Sequence, residues 1–161
     1  RDLTDFARAR PAAKTNVSIN EVIEAALRLA EFDSTFQRLT IARRLSDDLP
    51  DIHADADQLQ QVFLNMFLNA RDAMPDGGQL TIVTTNGGRR VTIEVSDTGK
   101  GVSVDEAKQV FDPFYTTKPA GQGTGLGLAV CYGIVTAHDG TLELRPNQPS
   151  GATFVISLPV A

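Results

Sequence analysis

Apolar residues recur along this 161-residue chain at two spacings, one helical and one alternating, and each predicts a different kind of element. Helical spacing runs from a Ser18–Glu21 capping box to about Phe32, from about Asp57 to Met74, and from about Thr124 to Ala137. Strand-like alternation is found at about Leu39–Leu45, Gln79–Thr85, Arg90–Ser96, Thr141–Leu144 and Ala152–Leu158. Because the later strands are joined by hairpin turns, we expect a mixed or antiparallel sheet with helices on one face.

Shorter segments complete the predicted order. Ser103 and Glu106 form a second capping box for a short helix, and an extended piece lies near Ile52. The first ten residues have helical spacing that Pro11 ends, and Pro11–Asn16 is predicted to be a linker. Residues 112–122 are rich in Pro, Gly and Thr and are predicted to form a long loop.

The helix predicted at Asp57–Met74 carries a narrow polar stripe between apolar faces. Its members are Gln61, Asn65, Asn69 and Asp72. A solvated stripe explains Gln61 and Asp72, but asparagine is unfavourable in mid-helix and both asparagines are flanked by leucines. The stripe therefore favours a ligand-facing surface, and its amide oxygens suit a hard cation such as Mg²⁺. Arg71 and Gln60 lie on a separate edge that we expect to face solvent.

A second motif, Asp97-Thr98-Gly99-Lys100-Gly101, comes directly after the strand at Val91–Val95. The motif is typical of a simple turn, but it also suits an acceptor carboxylate at the mouth of a pocket. In the second case the glycines would let a flat ligand lie close to the backbone. An ionised Asp only accepts hydrogen bonds, so an exocyclic amine such as that of adenine would be its natural partner.

An aromatic-rich loop and a run of glycines precede the last predicted helix. In the segment Phe111-Asp112-Pro113-Phe114-Tyr115-Thr116-Thr117-Lys118, the two Phe side chains are expected to anchor one end of the loop. Lys118 lies where it could reach a phosphate, although spacing alone fits a solvated lysine equally well. The run Gly121-Gln122-Gly123-Thr124-Gly125-Leu126-Gly127-Leu128 is either a flexible turn or a phosphate cradle at a helix N-terminus.

Composition excludes several classes of function. The formal net charge of -5 argues against a nucleic-acid-binding surface, which needs clustered Lys and Arg. Cys131 is the single cysteine, so neither an internal disulfide nor a cysteine metal cluster can form, and a reducing cytoplasmic setting fits. No apolar run approaches the roughly 20 residues that span a bilayer. Because the chain begins at Arg1 rather than Met, we expect it to be part of a longer protein.

Taken in order, these motifs resemble those of the catalytic ATP-binding domain of sensor histidine kinases, within the gyrase, Hsp90, histidine kinase and MutL superfamily. The matching segments are Asn65–Ala70 for the N box, Asp97–Gly101 for the G1 box, Phe111–Phe114 for the F box and Gly121–Gly127 for the G2 box. The closing segment Gly151–Pro159 also matches the family's last strand. The segments Phe-Tyr-Thr-Thr-Lys and Leu-Ala-Val-Cys-Tyr-Gly-Ile-Val further resemble those of the nitrogen-regulation and oxygen-sensing kinases.

The resemblance implies a function for each motif residue and names ATP and Mg²⁺ as the ligands. Asn69 would bind Mg²⁺, and Asn65 would support the metal and phosphate end as the second catalytic residue. Asp97 would accept from the adenine amine, with Thr153 placing a water beside it. The remaining implied contacts are Gly99 and Gly101 with the base, Asp72 and Lys118 with the nucleotide, and Gly123, Thr124, Gly125, Leu126 and Gly127 with the phosphates.

The resemblance also implies the fold and the domain organisation. The fold would be an α/β sandwich of the Bergerat type, in which a mixed sheet carries three main helices on one face. Residues 103–124 would form a mobile ATP lid. Residues 1–15 would be the end of a dimerisation-domain helix and a linker, and residues 16–161 the catalytic domain.

One departure separates this chain from the ATPase branches of the superfamily, which carry a glutamate general base four residues before the magnesium asparagine. Asn65 stands there and cannot take a proton at neutral pH. The resemblance therefore implies transfer of the γ-phosphoryl to a histidine, with an ATPase or a non-catalytic ATP-binding module as the alternatives. His53 and His138 are expected to be structural, so the phosphoacceptor would lie on a dimerisation domain outside this chain.

The implied partners are that dimerisation domain and a response regulator. The fragment itself is expected to be a monomer and the full protein a homodimer. The full protein could also be anchored to a membrane.

Overall fold

The computed structural model describes residues 13–109, 111, 127–147 and 150–161. These residues form four α-helices: α1 (Ile19–Ala30), α2 (Ala56–Ala73), α3 (Val104–Gln109) and α4 (Gly127–Ala137). The strands are β1 (Thr15–Val17), β2 (Leu39–Arg44), β3 (Ile52–Ala54), β4 (Gly78–Asn86), β5 (Arg90–Asp97), β6 (Thr141–Pro146) and β7 (Ala152–Pro159). A 3-10 helix, Phe36–Arg38, leads into β2. Every helix and strand start predicted within these residues lies within a few positions of the observed one.

Five strands form one mixed sheet in the order β2-β4-β5-β7-β6. The β2–β4 pair is parallel, and the other three pairs are antiparallel. The parallel pair follows from the connection, because α2 lies between β2 and β4 in the chain and a parallel crossover needs such a length of chain. The predicted mixed sheet is confirmed.

Helices α1, α2 and α4 cover one face of the sheet, with α2 packed against both of the others. Their apolar stripes and the inward side chains of β4, β5 and β7 form one core. Phe67 of α2 packs against both Phe36 and Phe63, with ring centroids 6.4 Å apart in each pair. This layering fixes the direction of α2, the helix that carries the polar stripe.

Side chains at the helix starts satisfy the exposed backbone amides, as the sequence predicted. Ser18 Oγ accepts from the Glu21 amide at 3.4 Å. At α3 the exchange is reciprocal: Ser103 Oγ accepts from Glu106 N at 3.0 Å, and Glu106 Oε1 accepts from Ser103 N at 2.9 Å. Helix α2 begins one residue earlier than predicted, because Asp55 is its cap and accepts from Gln58 N at 3.1 Å.

The segment before α1 was predicted to be a linker, but its described part is attached to the domain. Thr15–Val17 pairs with β3 as an antiparallel two-stranded sheet. Ala13 N donates to Asp55 Oδ2 at 2.9 Å, and Lys14 Nζ donates to the Ala137 carbonyl at 3.0 Å. A three-residue strand is too short to show alternation, so sequence periodicity could not reveal it.

His138 has the structural role that was expected of it. Its Nε2 accepts from the Asp55 amide at 3.0 Å, and its Nδ1 lies 2.8 Å from the Ile134 carbonyl. The first of these bonds joins the end of α4 to the start of α2. His53 lies on β3 and is exposed.

Three predictions lie outside the described residues: the helix end at residues 1–10, the long loop at residues 112–122, and the ATP lid apart from α3. In the part of the chain that the structure describes, no helix is both long and apolar enough to cross a membrane.

Candidate functional site

The carboxylate of Asp97 lies at the end of β5, in the middle of the sheet, and is only 7% exposed. Its Oδ1 accepts two backbone hydrogen bonds, from Gly99 N at 3.0 Å and from Ala152 N at 3.2 Å. Within the described residues, Oδ2 accepts no hydrogen bond. The side chain is therefore fixed through one oxygen and leaves the other as an acceptor for a ligand.

Burial raises the pKa of the Asp97 carboxyl above its usual value, and the amides of Gly99 and Ala152 offset part of that effect. Removing water from a carboxylate disfavours its charged form, so keeping Asp97 here costs folding free energy. A buried acceptor with an open oxygen is the kind of group that a ligand donor can satisfy.

The backbone around Asp97 is packed so closely that two glycines are required. Gly151 has a φ of +102°, and a Cβ added to it would collide with the Asp97 carbonyl oxygen. Gly101 has a φ of +77°, and a Cβ there would lie 3.0 Å from the carbonyl oxygen of Gly151. The start of β7 and the loop after β5 thus support each other through main-chain contacts.

The same loop is attached to the C-terminal end of α2. Lys100 N donates to the Ala73 carbonyl at 3.1 Å, and a Cβ on Gly99 would overlap that carbonyl. Thr98 Oγ1 accepts from Gln79 N at 3.1 Å and lies 3.5 Å from Met74 Sδ. Gly99 is therefore needed to bring the loop against the helix, whatever contact it makes with a ligand.

The structure does not bring Thr153 to the Asp97 carboxylate in the way that was predicted. Thr153 pairs with Ser96 in the sheet, and their hydroxyl oxygens lie 2.8 Å apart. Because side chains alternate along a strand, Ser96 and Thr153 share the face opposite that of Asp97. Ala152, one residue earlier, is the β7 residue that contacts the carboxylate, and it does so through its amide.

Asn147 is a residue of this region that the sequence pattern missed. Its Nδ2 donates to the Asp97 carbonyl oxygen at 3.1 Å, and its Oδ1 accepts from Thr153 Oγ1 at 2.5 Å. Asn147 lies in the turn between β6 and β7, where asparagine is common for local reasons. Only the tertiary structure shows that this amide connects the turn to the end of β5.

Asn65 and Asn69 are both half-buried on α2, and Asn65 lies beside the first turns of α4. Asn65 Nδ2 donates to Cys131 Sγ at 3.6 Å, and a Cβ added to Gly127 would lie 4.0 Å from the same nitrogen. The structure therefore brings together the predicted polar stripe and the last glycine of the glycine run. The approach to Gly127 is an ordinary van der Waals contact, so its space alone does not require glycine there.

The carboxylate of Asp72 is engaged by its neighbour Arg71, at 2.9 Å from Nε and 2.8 Å from Nη2. Arg71 Nη1 also pairs with Asp33 at 2.8 Å, so its side chain joins α2 to the segment after α1. The expectation that Arg71 faces solvent on a separate edge is therefore wrong. A backbone hydrogen bond from Phe36, supported by Arg71, lowers the pKa of Asp33.

The remaining predicted contacts, namely Lys118, Gly123, Thr124, Gly125 and Leu126, lie outside the described residues. Among the residues described, no group of three or more His, Cys, Asp or Glu side chains could hold a metal ion. The amide oxygens of Asn65 and Asn69 fit Mg²⁺, which prefers oxygen ligands and keeps waters and substrate phosphates as the others.

Residues 54–161, about two-thirds of the chain, match the model of the family described as "Histidine kinase-, DNA gyrase B-, and HSP90-like ATPase". The chain belongs to this family. The match begins at the last residue of β3 and includes helices α2, α3 and α4 and all four of the later strands. The predicted family and the predicted Bergerat-type fold are confirmed, and family membership supports ATP as the nucleotide.

Within the family, the chain is similar to sensor histidine kinases. It is 36% identical to the sensor histidine kinase ZraS of Escherichia coli (strain K12) over 159 residues, which cover 99% of this chain and 34% of ZraS. The nucleotide-free catalytic domain of histidine kinase ThkA matches with a TM-score of 0.81 and 27% identity over 91% of this chain and 95% of that domain. Full-length ShkA in complex with AMPPNP matches with a TM-score of 0.78 and 32% identity, over 97% of this chain and 34% of ShkA.

Proposed function

We propose that this chain binds Mg²⁺–ATP and acts as the catalytic domain of a sensor histidine kinase. It would pass the γ-phosphoryl group to a histidine on a dimerisation domain that lies outside the chain. The chain spans about a third of the length of the curated kinase ZraS, so the rest of the phosphorylation machinery would be supplied by the longer protein.

The observation that carries this proposal is Asp97 Oδ2, which accepts no hydrogen bond from the part of the chain that the structure describes. Oδ1 is occupied by two backbone amides, and Oδ2 is left to accept from the exocyclic amine of adenine. Guanine carries a carbonyl oxygen at the corresponding position, which would face a carboxylate oxygen with no hydrogen between them. The site should therefore prefer ATP to GTP. Gly99 and Gly101 allow the loop beside the base to stay close to α2 and β7.

At the other end of the site, Asn69 would coordinate Mg²⁺, and Asn65 would contact the metal–phosphate group from one turn away. When bound, Mg²⁺ would neutralise charge on the phosphates and orient the γ-phosphoryl group. Gly123–Gly127 would lie against the phosphates with their backbone amides. Asp72 is a weaker candidate for a contact, because Arg71 already pairs with its carboxylate.

Asn65 favours a kinase over an ATPase. An amide cannot remove a proton from water at neutral pH, so this side chain cannot serve as the general base for hydrolysis. Phosphoryl transfer to an external histidine needs positioning and charge stabilisation rather than such a base. A hydrolytic ATPase and a non-catalytic ATP-binding module remain the two alternatives.

The remaining elements of the proposal concern the whole protein. Residues 1–15 would connect the dimerisation domain to a catalytic domain of residues 16–161, and the phosphohistidine would serve a response regulator. This chain would be a monomer within a homodimeric protein. Because ATP is the phosphoryl donor, we place the domain in the cytoplasm, with or without a membrane anchor elsewhere in the protein.

The test combines this chain, γ-labelled ATP and Mg²⁺ with the separately produced dimerisation domain of the same protein. We expect acid-labile label on one histidine of that domain, and none when Asn69→Ala replaces the parent. Steady release of phosphate without protein labelling would support an ATPase instead. Tight Mg²⁺–ATP binding with neither product would support the binding module.

A further inference from the structure

We propose that Cys131 is a positioning residue for the side-chain amide of Asn65. Its sulfur would hold the amide nitrogen, so that the amide oxygen is presented to the metal–phosphate end of the site. This inference rests on the proposed function, since it concerns how the same site receives Mg²⁺–ATP.

The contact joins two helices through a buried thiol. Cys131 lies on α4 and is fully buried. Its Sγ–H donates to the Val62 carbonyl of α2 at 3.8 Å, and Sγ accepts from Asn65 Nδ2 at 3.6 Å. These distances are those of sulfur hydrogen bonds, which are longer and weaker than bonds between nitrogen and oxygen.

The direction of the first bond decides the direction of the second. A thiol has a single proton, and here that proton is directed at the Val62 carbonyl. Sγ can therefore only accept from Asn65, so the nitrogen of the amide faces the sulfur and the oxygen does not.

The result is an amide whose orientation is set from outside its own helix. A half-buried asparagine in mid-helix could otherwise present either its nitrogen or its oxygen to the ligand. Only the oxygen attracts a cation or accepts from its bound waters. A Cβ added to Gly127, the first residue of α4, would lie 4.0 Å from the same nitrogen, so the start of this helix also approaches the Asn65 amide.

The test replaces the thiol with groups of similar size. Cys131→Val removes both hydrogen-bonding functions, whereas Cys131→Ser keeps a donor and an acceptor. ATP affinity is measured by calorimetry in Mg²⁺ and again in EDTA, and the ratio of the two affinities reports the metal-dependent part of binding. We expect Cys131→Val to lower that ratio about 3- to 10-fold without changing the affinity in EDTA, and Cys131→Ser to keep it within about twofold of the parent.

A purely structural role for Cys131 would give a different pattern. Val135, also fully buried and one turn further along α4, provides the matched control. Val135→Ala should lower the unfolding temperature and leave the ratio unchanged, because the cavity it creates lies away from Asn65. If Cys131→Val behaves like Val135→Ala, or lowers both affinities equally, the proposal is wrong.

A double-mutant cycle completes the test. In an Asn65→Ala background, Cys131→Val should have no further effect on the ratio, because no amide is left to orient. Full additivity of the two changes would overturn the inference. A parent protein that binds ATP without any Mg²⁺ dependence would instead contradict the proposed function, so the two failures are distinguishable.

Discussion

The two ends of the candidate site are built in different ways. Around Asp97, the loop after β5, the start of β7 and the end of α2 meet through main-chain atoms, with Gly99, Gly101 and Gly151 at the contact points. Around Asn65, two helices meet through side chains, and the contact is a sulfur hydrogen bond 3.6 Å long. The end proposed to bind adenine is thus closely packed and has no room for a side chain at these three glycines, whereas the end proposed to bind the metal depends on how one amide is turned.

The proposed ligands give this difference a physical reason. A flat base makes contacts over its whole area and selects by hydrogen bonds at fixed positions, so a rigid backbone serves it well. A hydrated cation between phosphates needs oxygen atoms that can adjust, and side-chain amides provide them. Substitutions at the two ends should therefore have different effects on stability and on binding.

The largest expected effect is that of Gly151→Ala, with Gly127→Ala as its matched control. An added Cβ at Gly151 meets the Asp97 carbonyl and adopts an unfavourable φ, so we expect a loss of about 2–4 kcal/mol in the free energy of unfolding and of most ATP affinity. At Gly127 the same methyl would make only an ordinary van der Waals contact, 4.0 Å from Asn65 Nδ2, and should cost under about 1 kcal/mol. Thermal unfolding and calorimetry check both variants. Equal destabilisation by the two would remove the contrast between the ends.

The next effect separates binding from stability at a single residue. Asp97→Asn keeps an oxygen for the amides of Gly99 and Ala152 but places a donor where the adenine amine needs an acceptor. We expect ATP affinity to fall about 10- to 100-fold in fluorescence or calorimetric titrations. Unchanged affinity, or a parent protein that binds GTP as well as ATP, would contradict the role given to Asp97.

The same variant has a predicted pH signature. Burial raises the pKa of Asp97 in the folded state, so the folded protein binds this proton more tightly than the unfolded chain does. The stability that the protonated carboxyl provides is therefore present at low pH and is lost as the pH rises through the raised pKa. Asp97→Asn should therefore gain stability relative to the parent as pH rises from below about 4 to neutrality. Denaturant unfolding at several pH values measures the difference. If the stability of Asp97→Asn instead fell relative to the parent with rising pH, the expectation would be contradicted.

The smallest effect is expected at Asn147. Asn147→Ala removes the amide that connects the β6–β7 turn to the Asp97 carbonyl, so ATP affinity should fall about 2- to 5-fold, with about 1–2 kcal/mol lost from folding. Asn86 offers a matched control, because its amide donates to the Asp48 carbonyl and accepts from Gly88 N at the turn after β4. Asn86→Ala should affect only stability. Equal ATP affinities of the two variants would show that Asn147 does not support Asp97.

Much of the fold followed from local patterns, and the exceptions have identifiable causes. The N-cap at Ser18 and the reciprocal capping box at Ser103 were predicted correctly because each depends on residues three positions apart. Strand β1 was missed because it exists only by pairing with β3, far along the chain. Arg71 was expected to face solvent because its partner Asp33 lies outside its own helix.

For the site, the sequence by itself determined which residues are chemically suited to a nucleotide: the amides of α2, the carboxylate after β5 and the glycines, in a recognisable order. It could not determine the face to which Thr153 points, since that depends on its register with Ser96. Nor could it show that Ala152 and Asn147 fix Asp97, or that Cys131 contacts Asn65. Residue chemistry is a local property of the sequence, whereas a direction in space is set only when strands pair and helices pack.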